Sequence, residues 1–278
     1  MLSINNCSFN YRRKGEPTID HFNLRLETGG VYGLLGSNGA GKSTLFQLIC
    51  GLLNPLSGEI TLDGVSTRKR LPSTMREIFI VPEEIELPAL SLAKFCNLYS
   101  PFYPRFSHDD LTRHLDTFGM SPDIRLNRLS MGQKKKAILS FAMACNTKVL
   151  LLDEPTNGLD IPGKSAFRKF IAESMSENRL IIISTHQVKD VSRILDQILI
   201  MDNRKVILNK SVGEILQKMK FIETGDSNVI DSAFYAEKGI AGAAAIIPNH
   251  DEDDSEINLE LLYNFAISNP SKLNSLFI

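Results

Sequence analysis

Eight consecutive residues, Gly36-Ser37-Asn38-Gly39-Ala40-Gly41-Lys42-Ser43, carry the first chemistry legible in this 278-residue chain. They fit G-x-x-x-x-G-K-[ST], the pattern of a loop that cradles phosphate. Its glycines permit positive φ and let backbone N–H groups close on phosphate oxygens. A helix expected to start near Lys42 aims its positive end at the same anion. Lys42 is placed to reach the β- and γ-phosphates of a nucleotide, and Ser43 to set its hydroxyl on Mg²⁺. Thr44 is a further phosphate candidate. Downstream, Leu150-Leu151-Leu152-Asp153-Glu154 reads as a buried strand running into two carboxylates. Asp153 suits Mg²⁺ at such a strand end, and Glu154 suits a general base that polarises an attacking water. The plainer alternatives are a Gly-rich turn with a surface lysine and a pair of surface acids.

These groups need a scaffold, and the patterning supplies one. Val31–Leu35 is a short apolar run entering the loop. Leu45, Leu48, Ile49 and Leu52 recur at i, i+3, i+4 and i+7, the spacing of one helix face. Asn54-Pro55 and Ser57-Gly58 stop that helix. Ile60 and Leu62 predict a strand before the Asp63-Gly64 turn, and Ile78–Val81 another, halted by Pro82. From about Glu83 to Asn127, Pro88, Pro101, Pro104 and Pro122 divide the chain into short helical pieces, an insertion. Ala137, Ile138, Phe141, Ala142 and Cys145 then line a helix face. Val149–Leu152 follows as a buried strand. Helix and strand alternate twice more, Lys164–Ser174 with Leu180–Ile183 and Val188–Leu195 with Gln197–Met201. That order predicts βαβ units and a parallel sheet. Beyond about Phe221 the pattern weakens. Ala241–Ala245 is small and apolar, Asp251–Glu256 is acidic and reads as a solvated loop, and Asn258–Ala266 has helical character.

Composition bounds the function. The chain is 43% hydrophobic and 23% charged, ordinary for a globular protein. Its 31 basic and 32 acidic residues leave a net charge of -1, against bulk nucleic-acid binding. No apolar run approaches the roughly 18 residues of a membrane span. Met1–Tyr11 alternates polar and apolar residues, unlike a signal peptide. Cys7, Cys50, Cys96 and Cys145 are dispersed, which disfavours disulfides and zinc and suits buried thiols in the cytosol. His21, His108, His114 and His250 have no chemical context and read as surface residues.

At Leu129-Ser130-Met131-Gly132-Gln133 the sequence resembles the signature of ABC-type ATPases, in the order P-loop, insertion, signature, Asp153-Glu154-Pro155-Thr156. The likeness spans about residues 1 to 215 and is nearest to the ATP-binding subunits of bacterial ABC transporters, in the branch paired with exporter-type membrane subunits. It implies an α/β P-loop NTPase with a parallel-sheet core, an antiparallel β subdomain and an inserted helical subdomain. The cassette would cover residues 1–218, with the insertion at about 84–147, and 219–278 would be a small appendix of unreadable role. The resemblance assigns Tyr11 to stacking on adenine, a task suited to an aromatic face. Ser130, Gly132 and Gln133 would contact the γ-phosphate held by a second subunit, while Ser130 also fits an N-cap. Asn157-Gly158-Leu159-Asp160 resembles the loop crossing the dimer interface. His186, in Ser184-Thr185-His186, matches the switch histidine near the γ-phosphate and joins Glu154 in the catalytic pair. Two departures stand out. Glu83 in Val81-Pro82-Glu83 takes the place of a usual Gln, with Glu84 adjacent, and still offers a carboxylate to Mg²⁺ alongside Ser43 and Asp153. Met131 replaces the first Gly of the signature. Lys134–Lys136 read as a solvated helix face lending positive potential.

The implied activity is ATP hydrolysis with Mg²⁺, driving a separate polytopic membrane subunit. Two ATP-binding subunits, in a homo- or heterodimer, would sandwich the nucleotide on the cytoplasmic face of the membrane. No nucleic acid is expected. A clamp acting on ribosomes or DNA is the alternative. It is disfavoured by the single cassette, the short interval between P-loop and signature, and the near-neutral charge. A small-molecule kinase leaves the signature and His186 without a role.

Overall fold

The computed structural model describes residues 1–12, 16–239, 242–249 and 255–277. In chain order, β1 (Leu2–Phe9), β2 (Ile19–Leu26) and β3 (Gly30–Leu35) precede α1 (Lys42–Ile49). Then come β4 (Ser57–Leu62), β5 (Val65–Ser66), α2 (Pro72–Met75) and β6 (Ile78–Val81). Strands β1, β2, β4 and β5 form an antiparallel sheet in the order β2-β1-β4-β5. Three helices follow β6: α3 (Leu92–Tyr99), α4 (His108–Phe118) and α5 (Met131–Ala144). Next are β7 (Val149–Asp153), α6 (Ile161–Glu173), β8 (Leu180–Thr185), β9 (Gln197–Asp202) and β10 (Lys205–Ser211). The central sheet runs β10-β9-β3-β8-β7-β6, parallel except for β10.

Strands β3, β7 and β8 are buried along their whole length, which requires cover on both faces. Alternate residues supply the two faces. Val31, Leu35, Leu150, Leu152, Ile181 and Ile183 face a core built with Phe141, Phe167 and Phe170 of α5 and α6. Leu34, Leu151 and Ile182 face Phe46 of α1 and Phe22 of β2. Phe46 is wholly buried, a contribution of about 1.5–3 kcal/mol by area. The P-loop thus joins β3, whose alternate residues enter both cores, to α1, which packs in the second.

In the insertion, Ser91 and Ser107 cap α3 and α4, accepting from Lys94 N–H and Asp110 N–H. Gly119 ends α4 at φ 64. His114 of α4 corrects the surface reading. It is 2% exposed, its ring centroid lies 4.4 Å from that of Phe170, and burial pulls its pKa down. His21 and His108 are exposed, as expected, and His250 lies outside the described residues. All four cysteines are buried and free, with burial raising Cys7 to about 11 and Cys50 and Cys96 to about 12.

Two other expectations need correction. The helix after the P-loop ends at Ile49, so Leu52 lies beyond it and is exposed. Val188–Leu195 is not an α-helix but two 3-10 turns, Val188–Asp190 and Ser192–Ile194. Between them Val191 is wholly buried at φ −121, outside the helical region.

After β10, a capping box of Ser211 and Glu214 starts α7 (Val212–Lys218). Then follow β11 (Met219–Thr224), α8 (Ser227–Ser232), β12 (Tyr235–Gly239), β13 (Gly242–Pro248), α9 (Leu259–Ser268) and α10 (Pro270–Ser275). Strands β11, β13 and β12 form a third sheet. Met219, Ile246, Leu262 and Phe265 belong to the same buried cluster as Leu152 and Ile183. Residues 251–254 of the acidic stretch lie outside the described residues. Among those described, no helix is long and apolar enough to cross a membrane.

Candidate ATP site

The P-loop conformation depends on glycine. Gly39 and Gly41 have φ of 81 and 100. A Cβ on Gly41 would stand 2.9 Å from Ile19 Cδ1 and 3.2 Å from the Thr18 carbonyl. Ala40 N–H donates to Ser37 O at 3.1 Å, tightening the turn. Lys42 Nζ folds back to donate to Gly36 O at 2.8 Å and Ser37 O at 3.2 Å. Burial lowers the Lys42 pKa, while Glu154, Asp153 and Glu83 oppose that shift.

A cleft of about 460 Å³ opens over this loop. It is lined by Tyr11, Thr18, Asn38, Gly39, Gly41, Lys42, Ser43, Thr44, Glu83, Asp153 and Glu154. The N-terminus of α1 and the C-terminal end of β7 therefore converge on one space. Tyr11, 61% exposed, stands at its edge. The Tyr11 hydroxyl lies 3.1 Å from Thr44 Oγ1 and donates to Gln47 Oε1 at 3.3 Å, and its ring packs edge-on against Phe9.

Sheet register sets the carboxylates. Asp153 pairs with Ser184 across β7 and β8, and Ser184 Oγ donates to Asp153 Oδ1. Glu154 follows at φ 45, left-handed and strained for a residue with a Cβ. Its carboxylate is fixed from the end of β8. Thr185 Oγ1 donates to Oε2 at 3.0 Å, His186 N–H donates to Oε1 at 3.0 Å, and His186 Nδ1 lies 2.7 Å from Oε1. Glu83 Oε1 accepts from Asn157 Nδ2 at 3.1 Å. The Ser43 hydroxyl with the Asp153 and Glu83 carboxylates is an all-oxygen donor set, which fits Mg²⁺. His186 and Ser37 line an adjoining cavity of about 480 Å³ with Lys164 and Tyr263.

The signature residues gather elsewhere. Ser130 is the N-cap of α5 in a capping box with Gln133. Gly132 packs so closely on the interface-type loop that a Cβ there would stand 2.4 Å from Gly158 O. Asp160 caps α6 through Gly163 N–H at 3.2 Å and pairs with Lys136 Nζ at 2.8 Å. That pairing holds its carboxyl below the usual range. Ser130, Gly132, Gln133 and Asp160 do not line the P-loop cleft. Met131 is 67% exposed. The lysine run is not a solvated face: Lys136 is paired, and Lys135 is 1% exposed. Lys135 Nζ donates to Pro82 O, Glu83 O and Glu154 O. Burial lowers its pKa, while Glu83, Asp153 and Glu154 oppose that. Sequence reading missed Lys135, although it shares a helix face with the buried Ile138, Leu139 and Ala142.

Comparison with known proteins agrees with this geometry. Residues 19–157 match the model of the ABC transporter family. The chain is 30% identical over 226 residues to the ABC transporter ATP-binding protein NatA of Bacillus subtilis (strain 168), covering 78% of this chain and 92% of that protein. It is 32% identical over 238 residues to the energy-coupling factor transporter ATP-binding protein EcfA of Methanosphaera stadtmanae, covering 81% and 84%. A solved ATP-binding subunit of an ABC transporter superposes with a TM-score of 0.71 at 25% identity, covering 77% of this chain and 91% of that one. A P-loop between β3 and α1, two carboxylates closing β7 and this kinship together place the chain in the ABC transporter family, as an ATP-binding subunit with ATPase activity.

Proposed function

We propose that the chain hydrolyses ATP as one of two ATP-binding subunits, homo- or heterodimeric, that drive transport through a separate polytopic membrane subunit. One observation carries the reading: the cleft holding Lys42, Ser43, Asp153 and Glu154 lacks the residues of the signature helix end. A second subunit would supply them. The exposed N-terminus of α5, whose capping box engages the Gln133 N–H and not those of Met131 and Gly132, suits the γ-phosphate of a nucleotide in the facing cleft.

In this reading Tyr11 stacks on the base. Backbone N–H groups from Ser37 to Thr44, with the Lys42 ammonium, hold the phosphates. Ser43, Asp153 and Glu83 would hold Mg²⁺, which supplies charge neutralisation on the phosphates when bound. Glu154 takes a proton from the attacking water. His186, on the same carboxylate oxygen, orients Glu154 and reaches toward the γ-phosphate side. Asp160, at the end of the loop that follows the carboxylates, ties that loop to the signature helix through Lys136. Closure binds nucleotide between two surfaces, and loss of the γ-phosphate lets them part.

The partner belongs to the exporter-type branch on the likeness of the motif set. An energy-coupling factor ATPase of similar identity makes the partner's type an outcome of the test. The chain would sit peripherally on the cytoplasmic face, held by that partner. The cassette would end near residue 218, and 219–278 would be an accessory segment. It touches the site's surroundings: Glu260 and Tyr263 of α9 line the cavity with His186, and Glu260 pairs with Lys189 at 3.3 Å.

Two measurements test the proposal. Glu154→Gln should bind ATP as the native chain does and lose turnover. Purification from detergent-solubilised membranes should retain a multi-span protein. Undiminished turnover in the variant would remove Glu154 from its role. Bound nucleic acid in place of a membrane protein would favour the clamp reading.

A further inference from the structure

Lys135 of the signature helix has no role in the proposed chemistry, yet it is buried in specific surroundings. Its ammonium has three N–H donors and meets three main-chain carbonyls: Glu83 at 2.9 Å, Pro82 at 3.3 Å and Glu154 at 3.4 Å. These acceptors come from two different strand ends, the exits of β6 and β7. The side chain itself springs from the second turn of α5, whose first turn carries Ser130, Gly132 and Gln133. One buried group thus ties three segments that sequence keeps far apart.

Burial makes the tie stiff. At 1% exposure, water does not compete for the three hydrogen bonds, and an unmet donor there would be costly. The Glu154 acceptor belongs to the residue held at φ 45, a conformation that persists only when its surroundings fix it. Lys135 is one of those fixings. Asn157 N–H, which donates to the same carbonyl at 3.2 Å, is another.

We propose that Lys135 is a positioning residue that couples the signature end of α5 to the backbone of Glu154 and Glu83. A displacement of α5 as its N-terminus engages a partner's nucleotide is passed through one ammonium to the base and to the Glu83 carboxylate of the same chain. Each subunit's hydrolytic site thereby registers whether its signature is engaged. The inference rests on Glu154 acting as the base.

The test uses the full chain and four forms: native, K135M, K135Q and E154Q. ATP turnover at saturation is measured beside affinity for a fluorescent ATP analogue in EDTA. K135M keeps the volume and removes all three donors. It should lower kcat about 10–100-fold, the scale of a small misplacement of a reacting group, with affinity within about 3-fold of native. K135Q retains two donors and should recover most of the loss. Native turnover in K135M overturns the proposal, as does a parallel fall of affinity and kcat, or K135Q no better than K135M. Should K135M fail to fold, K135Q decides. Turnover at least about 3-fold down at unchanged affinity supports the tie, on the same scale, and native turnover refutes it. E154Q separates the two readings: if it turns over normally, the base assignment fails rather than the coupling.

Discussion

Glu154 and His186 are joined twice at one oxygen: Oε1 accepts the His186 main-chain N–H at 3.0 Å and lies 2.7 Å from Nδ1 of the same residue. The base is therefore held by backbone as well as by side chain. Removing the imidazole leaves the main-chain bond and the Thr185 bond to Oε2 in place. His186→Ala should lower turnover by about 10²-fold, the lower end for a lost acid–base partner. Nucleotide affinity should stay near native, and the defect should be milder than that of Glu154→Gln. Steady-state ATPase assays on both variants rank them, and equal or reversed severity would break this account.

Gly132 permits a backbone approach that no other residue allows. A Cβ 2.4 Å from Gly158 O cannot be relieved by rotating a side chain, because the obstacle is main chain. Gly132→Ala should cost about 1–3 kcal/mol, as overpacking does. For a chain of this size the melting temperature would fall about 2–4 °C per kcal/mol. Turnover should fall too, since α5 and the loop at Gly158 would be pushed apart. A thermal melt that matches the native chain would show the contact to be slack.

Tyr11 offers a test of base stacking against hydroxyl bonding. Tyr11→Ala removes the ring and should weaken ATP affinity by about 1–3 kcal/mol, the range for an aromatic–base stack. Tyr11→Phe loses only the bonds to Thr44 and Gln47 and should cost little. Calorimetric titration of both variants distinguishes the contributions. Equal losses would mean that the hydroxyl, not the ring, matters.

His114 gives a pH dependence of stability with a defined sign. Its folded pKa is lowered from 6.5, chiefly by burial. The unfolded chain therefore binds the proton more readily, so stability rises with pH across the window between the two values. It is fully present above about pH 6.5, the unfolded value, and is lost as pH falls through that value toward the lowered one. His114→Phe, which keeps a ring against Phe170, should flatten the melting temperature against pH below 6.5. An unchanged slope would place the acid sensitivity elsewhere.

The phosphate loop and the strand ending in Asp153-Glu154 were legible without coordinates, because each is local. Gly39 and Gly41 set the loop's φ values, and the strand's apolar run needs only its own neighbours. Ser130 was equally readable as an N-cap, since Gln133 completes its capping box three residues on. Lys135 and His114 were misread for a common reason. Their polarity suggested solvent, but burial is decided by what packs across them, here the exits of β6 and β7 for one and Phe170 for the other. The Val188–Leu195 pattern failed similarly. Its apolar spacing suited a helix, yet burying Val191 beneath the 3-10 turns overrode it.

Sequence by itself thus determined the chemistry that contiguous residues can hold: a phosphate cradle, a pair of acids and a capped helix start. Tertiary structure alone decided which of these share a space. Sheet order brings β7 beside β8, so that Ser184, Thr185 and His186 grip Asp153 and Glu154 from 31 or 32 residues away. The same packing leaves the signature end of α5 outside the cleft. Separation along a chain does not encode which side chains meet; the shared burial of both sheet faces does.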